Sequence, residues 1–205
     1  MTSMSRRGFL LGLKGLAQPS GLASASKRLR ATLEPPRVFL RPPGAAPEAS
    51  FARRCDGCGA CVPACPHGAI VMLDERWGLA EGTAAVLPEL HPCRWCDGRP
   101  CVEACTRGAL SATAPASMGT AIIDEARCLA RAGSGCQACY DRCPLKGLGL
   151  YHDGFAPAVD ARDCVGCGAC VPPCPVAAIS IRPLDPALSG LHAQLGLITG
   201  PMTGQ

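Results

Sequence analysis

Sixteen cysteines are the residues of this 205-residue chain whose type and spacing could do chemistry. They fall into four groups of four, with none left over. Runs one and four have the spacing C-x2-C-x2-C-x3-C, run two has C-x2-C-x4-C-x3-C, and run three has C-x7-C-x2-C-x3-C. In chain order the runs are Cys55, Cys58, Cys61 and Cys65; Cys93, Cys96, Cys101 and Cys105; Cys128, Cys136, Cys139 and Cys143; and Cys164, Cys167, Cys170 and Cys174.

The regular spacing, followed by proline, is the bacterial ferredoxin pattern for a [4Fe–4S] cluster. Three thiolates on one tight loop can bind three iron corners of a cubane. The fourth cysteine lies a helical turn further on and usually ligates the other cluster of a pair, so that two runs interlock. Proline follows runs one, three and four, whereas Thr106 follows run two. We therefore expect four [4Fe–4S] clusters, with all sixteen cysteines as iron ligands.

Zinc and disulfides are the competing interpretations of so many cysteines. Structural zinc is usually held by two ligand pairs separated by a longer loop, not by four cysteines within about eleven residues. Secreted disulfide scaffolds are usually much shorter chains than this one. Both alternatives are therefore disfavoured by the spacing.

The pairing of the runs stays open at the level of sequence. Neighbouring runs could interlock, one with two and three with four. Alternatively, the two regular runs could share one module and the two expanded runs the other, one with four and two with three. The nested arrangement is slightly favoured because it groups runs of like spacing.

Composition and charge limit the remaining functions. Only eight residues are aromatic, so large side chains cannot easily build the whole core. No run of 18 apolar residues exists, and no transmembrane span is expected. Residues 1–54 contain ten of the twenty Lys and Arg but only two of the sixteen Asp and Glu. We expect no nucleic-acid binding, because this basic segment has another explanation.

That explanation is export. The segment Ser5-Arg6-Arg7-Gly8-Phe9-Leu10-Leu11 resembles the twin-arginine motif, and an apolar stretch and Ala23-Ser24-Ala25 follow it. Residues 1–25 are thus predicted to be a twin-arginine-type signal, which carries folded, cofactor-loaded proteins to the periplasm. Lys14 interrupts the apolar stretch, and a retained basic arm on a cytoplasmic protein is the alternative.

The elements that must position the cysteines are short. An α+β fold of tandem bacterial-type 2[4Fe–4S] ferredoxin modules, rich in loops, is predicted over residues 55–182, after an extended leader over residues 26–54 that lies on the core. Strands are predicted at 69–73, 121–124 and 178–182. Residues 183–205 should form a helix, starting at Asp185-Pro186 with leucines at helical spacing, and a frayed tail.

No arrangement of residues resembles an active site, so the chain is expected to be an electron carrier or accessory subunit and not an enzyme. The histidines stand alone and are expected to be solvated loop residues; they are His67, His91, His152 and His192. Arginines beside the runs could raise cluster potentials or simply pair with neighbouring aspartates; they are Arg54, Arg94, Arg107 and Arg142.

With these motifs in hand, the chain resembles the NapG/MauM-type polyferredoxins of periplasmic nitrate reductase and methylamine dehydrogenase systems. The resemblance rests on three segments: the leader from Arg41-Pro42-Pro43 to Cys55, the second run Cys93-Arg94-Trp95-Cys96, and Cys128 with its seven-residue gap. It covers about residues 5–182. The fourth run is equally similar to the sister NapF-type ferredoxins.

The resemblance implies a relay of single electrons from a membrane quinol-oxidising ferredoxin-type partner towards a periplasmic reductase of the nitrate reductase type. The protein would then associate with the membrane through a partner. A NapF-like protein would instead assist maturation of the reductase precursor in the cytoplasm.

Overall fold

Short elements separated by cysteine loops make up the fold, because no apolar segment of this chain is long enough for more. The computed structural model describes residues 38–188, which belong to one unit. The helices are α1 (Glu48–Arg54), α2 (Cys61–Ala64), α3 (Pro100–Glu103) and α4 (Ala138–Arg142), with a 3₁₀ segment at Glu75–Ala80. The strands are β1 (Ile70–Met72), β2 (Ala84–Val86), β3 (Gly119–Ile123), β4 (Leu150–Asp153), β5 (Ala156–Val159) and β6 (Ile179–Pro183).

The strands form three antiparallel pairs that divide these elements between two modules. Module two, residues 118–183, has an inner hairpin of β4 with β5 and an outer pair of β3 with β6. Module one, residues 39–111, has the inner hairpin β1–β2, with Ile70 opposite Val86. Its outer pair is reduced to a bridge between Ala45 and Leu110, flanked by two backbone hydrogen bonds of 2.7 and 2.9 Å. The two modules therefore repeat one plan.

Three strands lie where apolar runs predicted them, at β1, β3 and β6. The strands β2, β4 and β5 were not predicted. Each has only three or four residues, and β4 carries His152 and Asp153 on exposed positions. A strand this short has too little alternation of apolar and polar residues to give a signal.

The predicted extended leader is wrong in its last part, because residues 48–54 form helix α1. The described leader does lie on the core, as expected. Leu40 is fully buried and pairs with Val86 through two backbone hydrogen bonds of 2.8 and 2.9 Å. The side chain of Phe51 on α1 is fully buried as well. Residues 38–54 are thus part of module one, and residues 26–37 lie outside the described range.

Arg41 fastens the leader to module one. Its guanidinium is buried between the rings of Phe39 and Phe51, at 5.1 and 4.4 Å from their centroids. It also donates to both carboxylate oxygens of Glu48 and to the hydroxyl of Thr83 at 2.8 Å. A buried charge is stable only when it is paired and hydrogen-bonded, and Arg41 has both kinds of partner.

Cysteines supply part of the core that the scarce aromatics cannot. Six of them are buried within one apolar cluster that spans both modules; they are Cys61, Cys93, Cys101, Cys139, Cys167 and Cys170. A second cluster joins Phe39 of the leader, Trp77 of the 3₁₀ segment and Leu188. Cysteines of the loops are therefore themselves core residues.

The C-terminal helix begins where the sequence predicts it. Residues 186–188 are helical, and the Asp185 carboxylate accepts from the Ala187 amide at 2.8 Å, which satisfies one free amide of the first turn. Leu188 is buried against Trp77, so the helix covers the core at this point. Residues 189–205, with Leu191 and Leu195, lie outside the described residues. Between residues 38 and 188, no helix has the length and apolar character needed to cross a membrane.

The modules meet where run two touches run four. The Cys93 amide donates to the Cys167 carbonyl at 3.0 Å. Next to it, a Cβ atom added to Gly168 would lie 2.6 Å from the side chain of Pro88. Gly168 also has φ +80°, which side chains rarely adopt. The junction is therefore tight enough to require glycine.

Candidate iron–sulfur sites

Four cavities of similar size, about 330 to 400 Å³, are each lined by four cysteines. Every cysteine lines one cavity. Site I is formed by Cys55, Cys58, Cys61 and Cys105; site II by Cys65, Cys93, Cys96 and Cys101; site III by Cys143, Cys164, Cys167 and Cys170; and site IV by Cys128, Cys136, Cys139 and Cys174. Each site takes three cysteines from one run and the fourth from another.

The exchange of the fourth cysteine decides the pairing. Cys65 of run one completes site II, and Cys105 of run two completes site I. Cys143 and Cys174 are exchanged in the same way between runs three and four. Neighbouring runs therefore interlock, and the nested arrangement that the spacing slightly favoured is wrong. The reason is that strand pairing joins neighbours in the chain, whatever the length of the cysteine loop.

A single helical turn separates the third cysteine from the fourth. Cys61 is the first residue of α2, and Cys65 follows its end in an extended conformation. In run three, Cys139 is the second residue of α4, and Cys143 follows the end of that helix in an extended conformation. One turn advances the chain by about 5.4 Å, and the backbone leaves the helix in an extended conformation at the fourth cysteine. The fourth thiol is therefore presented to the neighbouring site.

Backbone amides point at the sulfur atoms of the exchanged cysteines. The amides of Ala69, Leu110 and Ala178 donate to Cys65, Cys105 and Cys174, respectively, at 3.2 to 3.3 Å. These amides stand just before β1 and β6, or at the outer bridge of module one. Hydrogen bonds to ligand sulfur orient a metal ligand and tune the bound group. The strands thus position the ligands as well as the core.

Burial keeps several of the thiols from ionising easily. It raises the pKa to about 11 in Cys61, Cys93, Cys101 and Cys167. The pKa of Cys170 is also raised, and burial is again the main cause. A bound iron ion reverses this preference because its charge favours the thiolate. Loading these sites therefore releases protons, and the raised pKa values mean that protons compete with iron for the sulfur atoms.

Neighbouring sites within a module lie close to each other. Burial is the main cause of the raised pKa of Cys61, and nearby thiols add to it. One of these thiols is that of Cys101, which belongs to site II. In module two, the thiols that act on Cys170 of site III include Cys139 of site IV. Sites I and II, and likewise III and IV, are therefore adjacent.

The two central sites lie close across the module junction. After burial and a hydrogen bond from Trp95, the charge of Cys167 is the strongest influence on the pKa of Cys93. Cys93 belongs to site II and Cys167 to site III, and their backbones share the hydrogen bond described above. The four sites therefore follow one another in the order I, II, III, IV.

The outer sites are more open than the inner ones. Sites II and III each contain two buried cysteines, whereas sites I and IV contain one each. Cys58 of site I is exposed. The row of sites is therefore sheltered in the middle and accessible at its ends.

The quartets suit a cluster better than the competing ligands. All sixteen cysteines lie in the described range, and none of them forms a disulfide. Within residues 38–188, no three ligating side chains converge closely enough for a single metal ion. Four thiols spread around one cavity match a larger group with several iron corners.

Of the arginines singled out in the sequence, two line a site. Arg94 lines site II, and Arg107 lines site I, where it pairs with Asp56 at 3.0 Å. Arg54 donates to the carbonyl of Gly108 at 3.1 Å. Arg142 is exposed and lines no site.

Sequence reasoning missed Arg99, which lies in the longer loop of run two and lines site II. His67, which was expected to be a solvated loop residue, is exposed and lies at the rim of the same site. The two extra residues in that loop were the available signal for Arg99.

Family models place the iron–sulfur chemistry on both modules. A 4Fe-4S dicluster domain matches residues 120–181, which is nearly all of module two. A 4Fe-4S binding domain matches residues 52–71, which contain run one and the first two residues of β1. Ferredoxin-type domains that bind iron–sulfur clusters are therefore present in each half of the described chain.

Several relatives cover most of the chain. Ferredoxin-type protein NapG of Escherichia coli (strain K12) is 34% identical over 183 residues, 80% of this chain and 79% of the relative. Methylamine utilization ferredoxin-type protein MauM of Paracoccus denitrificans is 36% identical over 166 residues, 74% of each chain. MauM of Methylorubrum extorquens is 33% identical over 193 residues, 87% of this chain and 84% of the relative. The chain is therefore an iron–sulfur electron carrier, not an enzyme, and belongs to the NapG/MauM ferredoxin-type family.

Proposed function

We propose that this protein carries single electrons along four [4Fe–4S] clusters held by sites I to IV. The observation that carries the proposal is the unbroken row of cysteine quartets, with the junction hydrogen bond between Cys93 and Cys167 at its centre. Each bound cluster would take up one electron and give it back. The chain's own residues fix the order of the sites, bury the inner thiols and donate amide hydrogen bonds to sulfur.

The ends of the row are the natural contact points for redox partners. Site I exposes Cys58, and sites I and IV have fewer buried cysteines than the inner pair. An electron that enters at one end would then leave at the other. In keeping with the family resemblance, the donor would be a membrane quinol-oxidising ferredoxin-type subunit, and the acceptor a periplasmic reductase of the nitrate reductase type. The quinol would release two electrons, one after the other, and its protons outside this chain.

Iron and sulfide analysis tests the cluster count directly. Protein purified without oxygen is expected to contain about sixteen irons and about sixteen acid-labile sulfides per chain, because each cubane holds four of each. Dithionite reduction should bleach the visible absorption of all clusters. About eight irons would leave one module without clusters and break the relay. Bound zinc with little sulfide would contradict the proposal as a whole.

Export through the twin-arginine route would place this relay in the periplasm. The predicted signal lies outside the described residues, so the support is the motif around Arg6 and Arg7 alone. A tagged chain is expected to fractionate with the periplasm. Changing both arginines to lysine should retain it in the cytoplasm, still with about sixteen irons, because clusters are inserted before export.

The same fractionation separates the two locations. Protein found only in the cytoplasm, with no response to the lysine substitutions, would contradict export. It would favour instead the cytoplasmic role in maturation of a reductase precursor, which a pull-down of that precursor would then reveal.

A further inference from the structure

The loop between the second and third cysteines of run two is longer than its counterparts. Four residues separate Cys96 from Cys101, where runs one and four have two. Gly98 and Arg99 in this loop have positive φ angles of 73° and 48°. A left-handed conformation is uncommon for a residue other than glycine, and it persists where the surroundings hold it. The extra length therefore places Arg99 in a specific, strained position.

That position brings a guanidinium to site II. Arg99 lines the same cavity as the four thiols of the site. Its Nη1 atom is buried, and it has no hydrogen-bond partner among the described residues. Buried polar atoms almost always have a partner, and an unpaired buried charge is costly. A cluster with its thiolates, bound in the cavity that Arg99 lines, carries the negative charge that would supply such a partner.

Site II differs in this respect from the other three sites. At site I the only lining arginine, Arg107, is already paired with Asp56. Among the described residues, no charged side chain lines site III or site IV. Arg94 also lines site II, but it is exposed and its charge is weakened by water. Site II is therefore the most positive of the four surroundings.

We propose that Arg99 is a positioning residue that makes the cluster at site II the most easily reduced of the four. The inference rests on the proposed function, since it assumes a [4Fe–4S] cluster there. Reduction adds one negative charge to a group that is already negative. A guanidinium held against the group in a water-poor cavity stabilises the reduced form more than the oxidised form. In partly reduced protein, the first electron would then reside at site II, next to the module junction.

Potentiometric titration followed by electron paramagnetic resonance tests this on the loaded full chain. In Arg99→Gln, the transition with the highest midpoint potential is expected to move down. The expected loss is about tenfold in the reduction equilibrium, or about 59 mV for one electron. The other three transitions should stay in place. Arg94→Gln is the matched control, because it removes an exposed charge from the same cavity, and it should shift this transition much less.

Two outcomes would overturn the inference. One is an unchanged highest transition in Arg99→Gln with all iron retained, and the other is an equal shift in Arg94→Gln. If the glutamine variant loses about four irons, Arg99→Lys decides. The lysine keeps a positive charge, so this variant should keep its iron and show a smaller shift of the highest midpoint potential. Loss of iron in both variants would mean that Arg99 stabilises the loop and does not tune the cluster. Failure of the proposed function would be visible separately, as a low iron count in the unmodified protein.

Discussion

Cys65→Ala is expected to empty site II and to leave site I loaded, although Cys65 belongs to run one. Its thiol lines the cavity of Cys93, Cys96 and Cys101, where it is the only cysteine from another run. Bound iron should fall from about sixteen to about twelve per chain, because one cubane is lost. Module one should also lose stability, because the free energy of metal binding is at the same time folding free energy. Alkylation of free thiols, read by mass spectrometry, should label the three orphaned cysteines.

Cys105→Ala is the matched control for this pairing. It removes the exchanged ligand of site I, so the labelled thiols should be Cys55, Cys58 and Cys61. The nested arrangement makes a different prediction for Cys65→Ala, namely labelling in run four. Labelling there, or a full iron content with no labelling, would contradict the interlocked pairs.

The cysteine quartets and part of the fold could be predicted from the sequence because their signals are local. A run of four cysteines within eleven to sixteen residues indicates an iron–sulfur site by itself. The apolar segments that become β1, β3 and β6 lie close to these runs in the sequence. The start of the C-terminal helix was equally local, since Asp185 provides both the cap and the signal. Features carried by a few adjacent residues are the ones that a pattern can reveal.

The rest depends on contacts between distant parts of the chain. The pairing of the runs follows from which strands pair with each other. The strands of the hairpins β1–β2 and β4–β5 are too short to give a recognisable sequence pattern. Helix α1 and the burial of Arg41 depend on Phe51 and Glu48 packing over module one. The proline-rich sequence of the leader instead led to the prediction of an extended segment. Arg99 looked like any other surface arginine, because its burial is caused by a cavity that four separate segments build.

Gly168→Ala is expected to loosen the junction on which the proposed electron transfer from site II to site III depends. The new methyl group would lie 2.6 Å from Pro88, which is itself fully buried and cannot move aside. Overpacking of this kind costs about 1–3 kcal/mol, and the left-handed backbone adds about 1–2 kcal/mol for a residue with a Cβ atom. The loaded protein should therefore melt roughly 4–20 °C lower, at about 2–4 °C per kcal/mol for a chain of this size. Electron exchange between the modules should slow, which stopped-flow reduction would detect as a slower final phase.

Gly59→Ala separates the contact from the backbone strain. Gly59 occupies the corresponding position of run one and has a similar φ of +70°, but an added Cβ would meet nothing within 4 Å. This variant therefore carries the backbone cost alone and should melt only about 2–8 °C lower, with the final reduction phase unchanged. Equal melting temperatures and equal kinetics in the two variants would mean that Pro88 yields to the methyl group. The junction would then be pliable, and the close approach of Cys93 to Cys167 would need another cause.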